Sequence, residues 1–323
     1  MPPAHPASTE RGRFARVSVD STTVLIEGPW RHQFVPANGA RFHVAVAGPD
    51  DRDVPLVVLL HGFPEFWWAW RHQIVTLADA GYRVAAMDLR GTGASDKPPI
   101  GYDVPTLCRD VAGLVRSLGV DRAVIVGHGV GGSVAWAMPS LEPMVTAAVG
   151  SIAMPHPVHA RALGRAALTP TALRHLMYFQ LPTLPERSMT RTDLVPRLLR
   201  EWGADGWLTA DAAETYRVAA QVPFAAHSAM ERLRWLVRST PRTDGRRYLA
   251  RLRTPVPVPV LQVHGAEDRC RPAATAPAPA SLVGSGYRFE LVPGAGHFVP
   301  EEAADAVGAI LLDWLADVAP LTA

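Results

Sequence analysis

Cysteine is nearly absent from this 323-residue sequence. Cys108 and Cys270 stand far apart and outside any CxxC or Cys/His ligand spacing, which argues against a disulfide framework and a zinc site. A reducing, cytoplasmic setting is expected. Lysine is scarcer still: Lys97 is the one lysine among 32 basic residues, and 30 acidic residues leave a net charge of +2. The arginines are scattered, not gathered into a stripe, so no nucleic-acid partner is implied. Long apolar runs are missing as well. None approaches the ~18 residues of a membrane span, and the Pro-, Ser- and Arg-rich start, up to about Val17, lacks the apolar core of a signal peptide. Residues 1–27 are expected to be a loose tail. His156 and His159 lack a third ligand, so no metal is expected, and no cofactor is implied.

What is present is a chain 48% hydrophobic, enough for one large packed α/β unit carrying an insertion. Polar and apolar residues alternate from Arg31 to Ala47 around Asn38-Gly39, a dipeptide suited to a tight hairpin turn. From Pro55 the rhythm changes. Short apolar runs at Pro55–Leu60, Tyr82–Asp88, Ala123–Gly127 and Val145–Ala153 read as strands of a parallel sheet covered on both faces. Helical stretches near Trp68–Ala80, Pro105–Leu118 and Gly132–Met138 separate them, giving repeated βαβ units. The strand rhythm stops between about Pro155 and Arg251 and resumes at Val258–His264 and Tyr287–Val292, followed by an amphipathic helix, Glu301–Ala316. The expected organisation is a doubly wound core of residues 28–154 and 252–323, with a helical cap, residues 155–251, inserted between them.

The chemistry-bearing residues stand at strand ends. His61-Gly62-Phe63-Pro64-Glu65 follows the first parallel strand, where a glycine lets the backbone bend and frees amide N–H groups to face developing negative charge. Asp88 leads into Leu89-Arg90-Gly91-Thr92-Gly93, a turn-rich loop read as structural. Gly127-His128-Gly129-Val130-Gly131-Gly132 has the form of a nucleophile elbow, with glycine at the nucleophile position. Late in the chain come Gly265-Ala266-Glu267-Asp268 and Gly294-Ala295-Gly296-His297.

The segments HGFPEFWWAWRHQ, DLRGTGASDKP, VGHGVGG and MPHP resemble the epoxide hydrolases of the α/β-hydrolase superfamily, a likeness that runs from about Gly28 to the C-terminal helix. It implies a mostly parallel sheet of eight strands with an inserted helical cap. It also implies that Asp268 orients His297 as general base, and that the backbone N–H groups of Phe63 and Val130 form an oxyanion hole. In that family the elbow carries an aspartate that forms an ester with the epoxide carbon; the matching position here is Gly129. Two cap tyrosines usually hold the epoxide oxygen. By spacing, the first aligns with His175, before Tyr178-Phe179-Gln180, and the second, counted from Tyr216, with Arg232. His175, Tyr178, Tyr216 and Arg232 are therefore candidate cap contacts, and Pro64 and Trp67 candidate pocket residues. Ser133, one turn into the elbow helix, is expected to face away, and His61 and His128 to hold their turns.

Glycine cannot attack carbon, and in a comparable catalytic unit loss of the nucleophile leaves roughly 10³–10⁴-fold catalysis over water. Three functional readings follow. In the first, His297 and Asp268 activate water against a small apolar substrate, or deprotonate the substrate directly, with no covalent ester intermediate; in the second, the chain is an inactive pseudoenzyme or small-ligand-binding protein; the third, epoxide hydrolysis by a displaced nucleophile, finds no Asp, Ser or Cys within reach along the elbow. The expected partner is a small apolar molecule, and the expected state a monomer or homodimer.

Overall fold

The structure, a computed structural model, describes residues 19–321, so most of the expected N-terminal tail lies outside the described residues. The end of that segment is anchored rather than loose. Asp20 caps a short turn at Ser21–Val24, Val24 is buried, and Trp67 Nε1 donates to its carbonyl at 2.9 Å.

Two antiparallel strands, β1 (Arg31–Ala37) and β2 (Ala40–Ala47), meet at Asn38-Gly39, whose φ values of 43° and 73° suit a primed hairpin turn. Then follow β3 (Leu56–Leu60), α1 (Arg71–Asp79), β4 (Arg83–Met87), α2 (Val104–Ser117), β5 (Ala123–His128), α3 (Val130–Leu141) and β6 (Thr146–Ile152). Seven helices stand between β6 and the next strand: α4 (Pro157–Leu163), α5 (Pro170–Tyr178), α6 (Leu184–Arg191), α7 (Leu194–Trp202), α8 (Ala210–Ala219), α9 (Ala225–Arg238) and α10 (Thr243–Arg251). The chain closes with β7 (Val260–Gly265), β8 (Tyr287–Val292), α11 (Val299–Glu302) and α12 (Ala304–Val318).

The eight strands form one sheet in the order β1-β2-β4-β3-β5-β6-β7-β8, antiparallel at β1/β2 and β2/β4 and parallel elsewhere, so the expected doubly wound, mostly parallel architecture is present. Side-chain alternation sends the wholly buried β3 to two cores. Val57 and Leu59 pack with α1 and α12, while Leu56, Val58 and Leu60 pack with α2 and α3.

Three helix boundaries differ from expectation. Trp67–Trp70 is a 3₁₀ turn ahead of α1, with no side-chain cap. The elbow helix starts at Val130, because the elbow itself turns the chain. The C-terminal helix is broken at Ala303 (φ −135°), where Glu301 and Glu302 turn inward to bonds described below.

Candidate active site

Two loops at the carboxyl end of the sheet bring an acid to a histidine. After β7, Asp268 Oδ1 accepts the N–H groups of Cys270 and Arg271, both at 2.7 Å, a local turn that leaves Oδ2 free for His297 Nδ1 at 2.9 Å. His264 Nε2 stands 3.2 Å from the same oxygen. Burial alone would raise the Asp268 carboxyl, but His297 and His264 outweigh it and hold the acid well below the usual carboxylate range. Burial likewise lowers His297 despite Asp268, so the imidazole is neutral at pH 7 and can accept a proton. With Nδ1–H assigned to Asp268, Nε2 carries the free lone pair.

The histidine loop is pinned from three sides. Glu302 accepts the N–H groups of Gly296 (2.6 Å), Phe298 (2.7 Å) and Ala204 (2.8 Å). The Trp202 carbonyl accepts N–H groups from both loops, His297 and Arg269, each at 3.2 Å. Gly296 is required here, since a Cβ on it would lie 2.3 Å from Ala204 N.

At the elbow, β5 ends in His128, Gly129 takes φ 51° and ψ −114°, and α3 begins. A Cβ on Gly129 would meet Gly62 Cα at 3.4 Å, His297 Nε2 at 3.9 Å and Phe63 N at 4.0 Å, ordinary contacts that admit a side chain beside the imidazole. The N–H groups of Phe63 and Val130 have no acceptor among the described residues.

A second buried pair braces the first. His128 Nδ1 lies 2.5 Å from Glu65 Oε2, which also accepts Gly62 N–H at 3.0 Å, while His128 Nε2 donates to the His297 carbonyl at 2.8 Å. Burial alone would raise Glu65 and lower His128; each instead holds the other in its charged form, Glu65 lowered and His128 raised. His61 donates to its neighbour's carbonyl and accepts Leu89 N–H, and burial pushes its imidazole down to about 4. Both histidines sit at their turns, as the sequence reading assigns. Asp88 fixes its own loop through Ala94, Trp67 and His43.

A cavity of about 410 Å³ opens over Gly129, Val130, Phe63 and His297. Its walls correct several expectations. None of the proposed cap contacts or pocket residues lines it. His175 stands behind Trp202, whose indole donates to it at 3.0 Å, and faces Glu201 on its other side. Tyr178 is bonded to Ser188 Oγ (2.6 Å) and Tyr216 to Glu301 (2.6 Å). Arg232 is drawn into the core, donating to the Arg90 carbonyl and Thr92 Oγ1. Pro64 borders a separate small recess beside Arg232, and Trp67 is consumed by packing against the anchored Val24 turn. Ser133, in turn, lines the cavity, because four residues of α3 return it to the face of Gly129. The residues missed include Trp202, Phe179, Met154, three arginines and Tyr248, whose buried hydroxyl has no partner among the described residues. Phe179 is next to the tyrosine that was considered, and no residue-type signal separates the two. Among the described residues no group of His, Cys, Asp and Glu has a metal-binding arrangement.

A profile of the α/β hydrolase fold matches residues 55–304. The chain belongs to the α/β-hydrolase-fold family. Over 289 residues it is 34% identical to the AB hydrolase superfamily protein YfhM of Bacillus subtilis, covering 88% of this chain and 97% of that one. It is 31% identical to epoxide hydrolase A of Mycobacterium tuberculosis, over 88% and 96% of the two chains. The crystal structure of epoxide hydrolase A from Mycobacterium thermoresistibile superposes with a TM-score of 0.74 at 29% identity, covering 88% of this chain and 98% of that one. Epoxide hydrolases are thus homologues of this hydrolase-fold chain.

Proposed function

We propose that the protein is a hydrolase that activates water directly with His297 and Asp268, on a small and largely apolar substrate, and that Gly129 stands where the homologous epoxide hydrolases carry their nucleophile. The observation that carries this reading is the cavity wall at Gly129, where the position a Cβ would take lies 3.9 Å from the unpartnered Nε2 of His297 and 4.0 Å from the free N–H of Phe63. A side chain there would occupy the attack position; its absence leaves room for a water, at about 30 Å³ each.

In the proposed reaction His297 Nε2 takes a proton from that water as its oxygen bonds to the electrophilic carbon. Asp268 keeps the Nδ1–H and stabilises the imidazolium. The substrate oxygen that gains charge faces the N–H groups of Phe63 and Val130, donors that do not depend on side-chain identity. For an ester, collapse of the tetrahedral intermediate releases an alkoxide; for an epoxide, the ring C–O bond breaks. The ester's alkoxide departs with the proton from His297, whereas the epoxide's oxygen stays on the product and takes that proton to give the diol. Residues 155–251 act as a helical cap that supplies most of the cavity wall, and two buried, unpaired cysteines fit a cytoplasmic setting.

A second reading, ligand binding without turnover, draws support from Tyr178 and Tyr216, whose hydroxyls are engaged elsewhere; against it, Tyr248 lines the cavity with a buried hydroxyl that has no partner among the described residues. Turnover of an epoxide and activated-ester panel separates the two. Wild-type activity that falls by about 10²–10⁴-fold in His297→Ala is expected for the water-activating dyad. Activity found solely in Gly129→Asp would overturn it and mark a binding scaffold.

A further inference from the structure

The segment 155–251 holds fifteen arginines against eight carboxylates and no lysine, although the whole chain carries a net charge of only +2. Several of these arginines are engaged. Arg217 pairs with Glu214, Arg234 with Glu186 and Glu231, Arg238 bonds Gln180, and Arg232 is buried against the Arg90 loop. Arg161 and Arg165 are different. Both are exposed, and neither guanidinium has an ion pair or a hydrogen-bond acceptor among the described residues, yet both line the cavity described above. Arg271, from the acid loop, lines it too and is unpaired in the same sense.

The cavity lining divides by exposure. Gly129, Val130 and His297 are buried, as are Trp202 and Phe179, whereas Arg161, Arg165 and Met177 are exposed, the last 61% exposed. Among the described residues no aspartate or glutamate lines it, and apart from the hydroxyl residues Ser133, Ser239, Thr240 and Tyr248 the rest of the wall is mostly apolar. A largely apolar cavity that presents unpaired guanidinium groups at its exposed residues matches one kind of molecule: a chain that prefers the walls, ending in an anion that a guanidinium fork can grip.

We propose that the cavity binds an anionic amphiphile, with its apolar chain directed toward Gly129 and His297 and its carboxylate or phosphate head at Arg161 and Arg165. This rests on the reading of the cavity as the substrate site and adds the class of substrate. The free acid in solution and an anionic lipid at a membrane surface share this chemistry.

Calorimetric titration of the full chain with dodecanoate and with dodecanol tests it without any turnover. Dodecanoate is expected to bind about tenfold more tightly at low salt. The preference is expected to shrink at high salt and to vanish in Arg161→Ala/Arg165→Ala, with dodecanol binding unchanged. Equal affinities in the wild type, or a preference that survives the double substitution, would overturn the proposal; the second result would put the anion at the free N–H groups of Phe63 and Val130. Co-sedimentation with phosphatidylglycerol and with phosphatidylcholine vesicles separates the sources. Arginine-dependent dodecanoate binding without vesicle binding supports a free acid, and the same binding with phosphatidylglycerol-selective sedimentation supports a membrane-borne lipid. Sedimentation without dodecanoate binding would overturn the cavity as the site. These measurements read binding and not turnover, so a failure of the water-activating reading leaves this result readable, and equal affinities leave that reading intact.

Discussion

The two sides of the cavity are built differently. The floor, made by the loops after β3, β5, β7 and β8, is held by main-chain hydrogen bonds to a few buried charged groups. Glu65 and His128 tie three of those loops together, Glu302 gathers three N–H groups, and Asp268 closes its own turn. The opposite wall, mostly from α4, α5, α9 and α10, is largely apolar, with the hydroxyl residues Ser239, Thr240 and Tyr248 and the unpaired Arg161 and Arg165. Geometry written into backbone does not depend on a single side chain, and the elbow turns with glycine at φ 51°. Ligand choice, written into side chains of the helical wall, can change without disturbing the floor.

The largest expected break of that contrast is Glu65→Ala, which leaves His128 buried with no counter-charge. A loss of about 3–5 kcal/mol in chemical denaturation is expected. The pH dependence follows from the two shifts. His128 is raised above its ordinary 6.5, so its contribution is present below 6.5 and lost as pH rises through the raised value. Glu65 is depressed below 4.5, so its contribution is present above 4.5 and lost as pH falls through the depressed value. The stability advantage of wild type over Glu65→Gln should therefore be greatest between these values and decline on both sides. A pH-independent difference would show that the pair is not charged in the folded protein.

Next in size is a comparison within the elbow. A Cβ on Gly131 would lie 2.3 Å from the Leu60 carbonyl oxygen, backbone against backbone, whereas the nearest atom to a Cβ on Gly129 is 3.4 Å away. Gly131→Ala should cost about 3 kcal/mol or more, or fail to fold. Gly129→Ala should cost about 1–2 kcal/mol, the strain of a side chain at φ 51°. Equal losses in thermal or urea unfolding would show that the elbow space is not open.

The same division explains what could be read from the sequence. Strand-end loops with glycine at fixed offsets specify backbone turns, and a turn places its neighbours; Asp268, His297, Phe63 and Val130 converge around Gly129 as the family resemblance implies. All-apolar runs such as Leu56–Leu60 need two covered faces, which forces the doubly wound sheet. The seven helices between β6 and β7 were legible as helices and not as a surface. Their arginines and aromatics occur on every side of short helices, so tertiary packing alone decides that Phe179 faces the cavity and Tyr178 does not. His175 and Arg232 were drawn elsewhere by Trp202 and by the Arg90–Thr92 loop, partners remote in sequence. Val24 was unreadable for the same reason, its burial depending on Trp67.

The smallest expected effect is also the sharpest probe of that last point. Tyr178 gives its hydroxyl to Ser188 Oγ at 2.6 Å on a half-buried flank of α5, one residue from a phenylalanine that lines the cavity. A neutral, partly solvated hydrogen bond of this kind is worth about 0.5–1.5 kcal/mol, and water can replace either partner. Tyr178→Phe should therefore lower stability by about 1 kcal/mol or less and leave both KM and kcat of any substrate found for the wild type unchanged. Phe179→Leu keeps an apolar side chain but changes the cavity wall, and should raise KM severalfold with little change in kcat, the pattern of lost uniform binding. If Tyr178→Phe instead lowers kcat, the hydroxyl swings inward during turnover and this tyrosine is a proton donor to the departing oxygen, which would move the chemistry of the cap back toward that of the homologous epoxide hydrolases.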